Sequence, residues 1–158
     1  MDWQIETLAP AFIQRARREG VDALGQPVRR LAARGGEPLR DALRRARPGE
    51  ALILASYSPF RLDGPYREFG PVFLAAEPQA ESLPSLDALL AGPGYFRDAP
   101  ALRAYDAGQS MLEAALPAWD QLAERLRQWQ ARADIAFAML RFPAHGCYAL
   151  RLNRGELT

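Results

Sequence analysis

Lysine is missing altogether: all twenty basic residues are arginine. Guanidinium pairs with carboxylate or phosphate through two nitrogens and is not interchangeable with an ammonium group. An arginine-only chain is nevertheless read most simply as codon bias in a GC-rich genome. Cysteine is almost as scarce, with Cys147 alone, and His145 is the single histidine. One thiol excludes an internal disulfide and gives no sign of an oxidising compartment. No apolar run approaches the ~18 residues that a membrane span needs, so no membrane crossing is expected. The opening Met1-Asp2-Trp3-Gln4 leads into no apolar stretch. No signal peptide is read there, and the cytoplasm is the expected location.

Catalytic and cofactor signatures are absent as well. There is no glycine-rich phosphate loop, no Gly-x-Ser-x-Gly and no His-Glu-x-x-His. No cofactor is expected. Net charge is +1, which gives no overall steering toward nucleic acid or acidic lipid. The charge is uneven, however. Residues 1–47 hold ten arginines against six acids, and the remainder ten against thirteen.

The 158 residues fit one domain, 1–158, with enough chain to bury a core. Apolar residues make up 49% and charged residues 25%, ordinary values for a globular protein. Ala9 to Arg18 predicts a short helix ended by Gly20. Residues 21–36 read as loop around a short strand near Val28. Pro38 to Arg47 predicts a helix, with Leu39, Ala42, Leu43 and Ala46 on one side and Arg40, Arg44 and Arg47 on a solvated other. Ala51 to Tyr57 is a nearly continuous apolar run, which suggests a central strand covered on both faces. Pro71 to Ala75 and Leu102 to Asp106 read as further strands, and Ser85 to Leu90 as a brief helix. The segment Met111 to Leu116 is either a short strand or the lead-in to a helix.

Between Pro117 and Ala133, Trp119, Leu122, Leu126 and Trp129 form one apolar stripe, the strongest helical signal in the chain. Ile135 to Phe142 and Cys147 to Leu152 read as strands joined by the short connection Pro143-Ala144-His145-Gly146. Grouped strands with short links favour an α+β fold. A mainly antiparallel or mixed sheet is expected, with helices packed on one face.

Several strings are familiar in this order: Ser56-Tyr57-Ser58-Pro59-Phe60, Pro65-Tyr66-Arg67-Glu68-Phe69-Gly70-Pro71-Val72-Phe73, Leu102-Arg103-Ala104-Tyr105-Asp106 and Gly146-Cys147-Tyr148. Together they resemble a bacterial family described as domain of unknown function 1203, over residues 37–154. The resemblance carries no activity with it. Many members have cysteines in the segment matching Pro38 to Leu43, where this chain has Leu39 and Ala42. A cysteine pair or thiolate metal site is therefore not expected.

Two places carry site-like residues. On the last strand, alternation puts Cys147, Ala149 and Arg151 on one face, and His145 joins them if the strand extends back. A neighbouring cation activates a thiol, and a histidine can serve as its base. Yet the two residues lie about 6.5–7 Å apart along a strand, and the ordinary reading is a small buried cysteine beside a loop histidine. Metal binding is not expected, because His145 and Cys147 are two ligands where zinc takes three or four. In the second place, Gly64-Pro65 and Gly70-Pro71 hold Tyr66, Arg67 and Glu68 on a turn. Such a turn suits an anion site, or serves the fold alone.

The expectation is thus a protein that binds a small anionic ligand through Tyr66, Arg67, Arg103 and Arg151. Any catalysis would fall to His145 or Cys147, and whether there is an enzyme at all stays open. The alternative is a non-catalytic interaction module, in its simplest form a homodimer. No nucleic-acid partner is expected, since no basic domain or binding module is present.

Overall fold

A computed structural model describes residues 1–155. Ten strands form two sheets instead of the one expected. Strand β1 (Trp3–Glu6) leads to α1 (Pro10–Gln14), which runs on into a π-helical turn (Arg15–Glu19) ended by Gly20 at φ 67°. Strands β2 (Arg29–Ala32), β3 (Pro38–Leu39), β4 (Arg44–Arg45), β5 (Ala51–Tyr57) and β6 (Gly70–Ala75) follow. Next come α2 (Leu86–Leu90), β7 (Ala101–Tyr105) and β8 (Met111–Ala115). A single 3-10 turn (Trp119–Gln121) opens α3 (Leu122–Gln130), and β9 (Phe137–Arg141) and β10 (Tyr148–Arg154) follow.

The first sheet runs β1-β10-β9-β7-β8 and is antiparallel throughout. The second runs β2-β5-β6-β3-β4, antiparallel except for the parallel pairing of Leu39 with Phe73. One apolar cluster lies between them. It draws Ile53, Tyr57, Val72 and Leu74 from β5 and β6, and Tyr105, Phe137, Met139 and Tyr148 from the first sheet. Phe12 of α1 joins this cluster. On the other side of the first sheet, Leu89 of α2 and Leu122, Leu126 and Trp129 of α3 pack on Leu102, Leu140, Leu150 and Leu152. Burying both faces explains the apolar run Phe137 to Leu140 of β9, whose five residues, Arg141 included, are all buried. Strand β5 is covered on both faces too, with Leu52 in a third cluster beside Leu39, Ala46 and Ala75.

The helix expected over Pro38 to Arg47 does not form. Leu43 N–H donates to the Leu39 carbonyl at 2.8 Å, a single helical turn, and Leu43 then takes φ 51°. A left-handed leucine costs of order 1 kcal/mol and persists only where its surroundings impose it. Here Leu39 is paired with Phe73, and the Arg40 N–H donates to the Phe73 carbonyl at 2.9 Å. Sheet pairing thus overrides a helical stripe that is real, since Leu39, Leu43 and Ala46 are all buried. No helix among the described residues is long and apolar enough to cross a membrane.

Candidate functional site

The β3–β4 excursion folds over the end of the β9–β10 hairpin, and a cavity of about 480 Å³ lies between them. Leu54, Pro71 and Phe73 contribute from β5 and β6, on the faces turned away from the inter-sheet cluster. Phe142, Pro143, Ala144, His145 and Cys147 contribute from the hairpin. The hairpin is closed by Phe142 N–H to the Cys147 carbonyl (3.0 Å) and Gly146 N–H to the Phe142 carbonyl (2.7 Å). Gly146, at φ 70°, supplies the left-handed residue this turn needs.

Three guanidinium groups reach the cavity. Arg40 is 3% exposed. Its Nε donates to the Tyr148 carbonyl and its Nη1 to the Pro38 carbonyl, each at 2.8 Å. Arg45 repeats the arrangement: Nε donates to the Tyr95 carbonyl and Nη1 to the Gly36 carbonyl, again at 2.8 Å. Both guanidinium carbons lie near the Phe142 ring, 4.9 and 5.2 Å from its centroid. Aromatic faces favour cations at this range. Arg97 comes from the loop after α2 and is exposed. Its Nη2 rests against Gly36, where a β-carbon would collide with it. Gly36 therefore seats two arginines, Arg45 through its carbonyl and Arg97 through its missing side chain.

Ion pairs occupy many of the other arginines, but among the described residues none reaches Arg40, Arg45 or Arg97. Asp98, exposed beside Arg97, also lines the cavity without forming an ion pair with any of them. Burial holds the Arg40 guanidinium below its ordinary pKa. Burial, and then the like charge of Arg97, do the same to Arg45. Positive charge is thus gathered in one place against its own solvation and self-repulsion.

His145 and Cys147 both line this cavity, His145 exposed and Cys147 half-buried. The Cys147 thiol points to the backbone carbonyl of His145 at 3.8 Å, not to its imidazole. No nucleophile–base pair is assembled here. Among the described residues, no group of three His, Cys, Asp or Glu side chains comes together.

The structure does not bring the other expected residues to this place. Arg151 is buried on the inter-sheet side, 3.7 Å from the Phe137 ring centroid, donating to the Pro59 carbonyl (3.0 Å) and Asn153 Oδ1 (2.7 Å). A bulge between Tyr148 and Leu150 breaks the alternation that had grouped Arg151 with Cys147. Tyr148 and Arg151 consequently face the inter-sheet cluster, while Cys147, Leu150 and Leu152 pack with the α2–α3 cluster. Arg103 lies 3.6 Å from Glu68, which also pairs with Arg141. Arg67 pairs with Asp63, stacks 5.1 Å from the Phe69 ring centroid, and lines a separate cavity of about 220 Å³ with Phe12 and Tyr57. Tyr66 is exposed and lines neither cavity.

Sequence alone does not single out Arg40, Arg45 or Arg97: Arg40 falls on the solvated face of the helix expected over Pro38 to Arg47, Arg45 falls in that same segment, and Arg97 stands near no motif. The one local sign was Gly35-Gly36, a pair that implies tight backbone just ahead of an arginine-rich stretch.

A family model described as Protein of unknown function (DUF1203) matches residues 36–154, most of the chain. The chain belongs to this family. No curated protein and no solved structure matches it.

Proposed function

We propose that this member of the family binds a small anionic ligand in the cavity between the β3–β4 excursion and the β9–β10 hairpin. One observation carries the reading: three guanidinium groups converge on a concave site and, among the described residues, none of them is held in an ion pair, not even by the exposed Asp98 that also lines it. Arg40 and Arg45 are held rigidly by main-chain carbonyls. Their position costs no ordering when an anion arrives, and preorganisation of this kind raises affinity. A volume of about 480 Å³ falls within the range of small-molecule sites. The anionic ligand expected from the sequence is kept, and the binding residues proposed for it move from Tyr66, Arg67, Arg103 and Arg151 to Arg40, Arg45 and Arg97.

An NMR titration of the arginine side chains with acetate and with inorganic phosphate tests this. At least one of the two anions should shift the Nε–H signals of Arg40 and Arg45 saturably and leave that of Arg44 in place. Arg45→Gln should weaken the response about tenfold, the worth of one charge-assisted hydrogen bond. Absence of any saturable shift, or an unchanged response in Arg45→Gln, removes the reading.

A second reading, the interaction module, is favoured by β8. This strand is the outer edge of the first sheet, with Leu112 exposed on it and Leu116, 78% exposed, just beyond. Unpaired edges bearing apolar side chains invite pairing with another chain. Sedimentation at rising concentration would show a dimer that Leu116→Glu disrupts, and a monomer throughout would dismiss it.

A further inference from the structure

We infer that the ligand is an organic carboxylate with an apolar body. This rests on the anion-site reading above and carries it to a chemical class. Donor supply is the first reason. Arg40 and Arg45 each commit Nε and Nη1 to main-chain carbonyls, which leaves one terminal nitrogen, Nη2, on each. Two anchored nitrogens equal in number the two oxygens of a single carboxylate, and the exposed Arg97 adds a third guanidinium that is not anchored in this way. Polyphosphate sites instead use a row of backbone N–H groups at a helix start or a glycine-rich loop. No such row lines this cavity, whose main chain comes from strands, turns and three prolines, Pro38, Pro71 and Pro143.

The rest of the lining is the second reason. No Ser, Thr, Asn, Gln or Tyr side chain belongs to it, and its polar members beyond the arginines, Asp98 and His145, are both exposed. A sugar or a nucleobase would find few partners for its hydroxyls or ring nitrogens, and buried polar groups without partners are costly. Leu54, Phe73, Phe142 and the prolines present hydrocarbon instead. Burying each methylene of a ligand against such a wall multiplies affinity about fourfold. Arg97, exposed beside Arg45, completes the basic side without adding a buried charge.

Cys147 offers a direct reading of occupancy, because it is the chain's only thiol and lines the cavity. The full chain is alkylated with neutral iodoacetamide in the presence of acetate, octanoate, octan-1-ol, inorganic phosphate or adenosine monophosphate. Octanoate should slow alkylation about tenfold at saturation. It should reach half its effect at a concentration at least about a hundredfold below acetate. Octan-1-ol, phosphate and the nucleotide should change the rate less than about twofold at that concentration. Arg45→Gln should raise the octanoate requirement about tenfold. Arg97→Ala, an exposed change that leaves folding intact, should raise it about threefold.

Protection by phosphate or the nucleotide that equals octanoate's and depends on Arg45 overturns the carboxylate class and leaves the anion site standing. Octan-1-ol acting as well as octanoate, or octanoate protection that survives both substitutions, overturns the inference and the anion site together. So does protection by none of the probes.

Discussion

Arg44 and Arg45 are neighbours on β4 and meet opposite surroundings. The Arg44 guanidinium grips both oxygens of Glu50, at 2.7 and 2.8 Å, reaches Gln79 Oε1 at 2.7 Å, and lies 3.1 Å from Glu81. Arg45, on the opposite side of the strand, touches main-chain carbonyls and the Phe142 ring, and the like charge of Arg97 weighs on it more than the opposite charge of Asp98. Alternation along the strand separates them. The same residue type is a structural clamp on one side and a charge outside any ion pair on the other. What distinguishes a binding arginine from a stapling one is therefore its company, not its identity.

The first way to break this comparison is to remove each arginine and measure urea unfolding. Arg44→Ala strands Glu50 and should cost about 2–3 kcal/mol, because charge-assisted pairs leave a costly orphan behind. Arg45→Gln, which leaves no carboxylate behind, should cost about 1 kcal/mol or less. Equal losses would erase the distinction.

Acid is the next lever. Arg44 and the Arg47 N–H hold the Glu50 carboxyl at about 2, below its ordinary 4.5. A depressed folded value means that the folded protein favours the ionised form. The stabilisation is whole above about pH 4.5 and is lost as pH falls from there through about 2. Unfolding free energies at about pH 5 and about pH 3 should differ by about 1–2 kcal/mol less in Glu50→Gln than in the parent, after allowance for solvent screening. An unchanged difference would show that the pair does not clamp β4.

Gly36→Ala acts on the unpaired side. It places a side chain at φ 92°, where Arg97 now lies. It should cost about 1 kcal/mol and weaken octanoate binding about threefold. The smallest stability effect belongs to Arg97→Ala, which should leave unfolding within about 0.5 kcal/mol while still weakening binding.

Much of the fold was legible, for reasons that separate cleanly from what was not. Ala51–Tyr57 declared β5 by a nearly continuous apolar run, and Leu122, Leu126 and Trp129 declared α3 by their spacing. Local patterns suffice where burial is dictated by the segment itself. Strand β1 was invisible because Trp3–Glu6 becomes a strand only by pairing with Arg151–Arg154 at the other end of the chain. The false helix over Pro38 to Arg47 failed for the same reason, since its outcome was set by Phe73. At the site, scarcity pointed to His145 and Cys147, and both do line the cavity. Arg151 was misplaced by a one-residue bulge, which reverses every side chain beyond it. Arg40, Arg45 and Arg97 come from segments that folding alone brings together, and nothing in their spacing announces it.

Bromide in place of chloride during crystallisation, with data collected at the bromine edge, tests the central claim most directly. An anion should appear as an anomalous peak between Arg40 Nη2 and Arg45 Nη2, with none beside Arg44. Peaks elsewhere on the surface with an empty cavity would contradict the account.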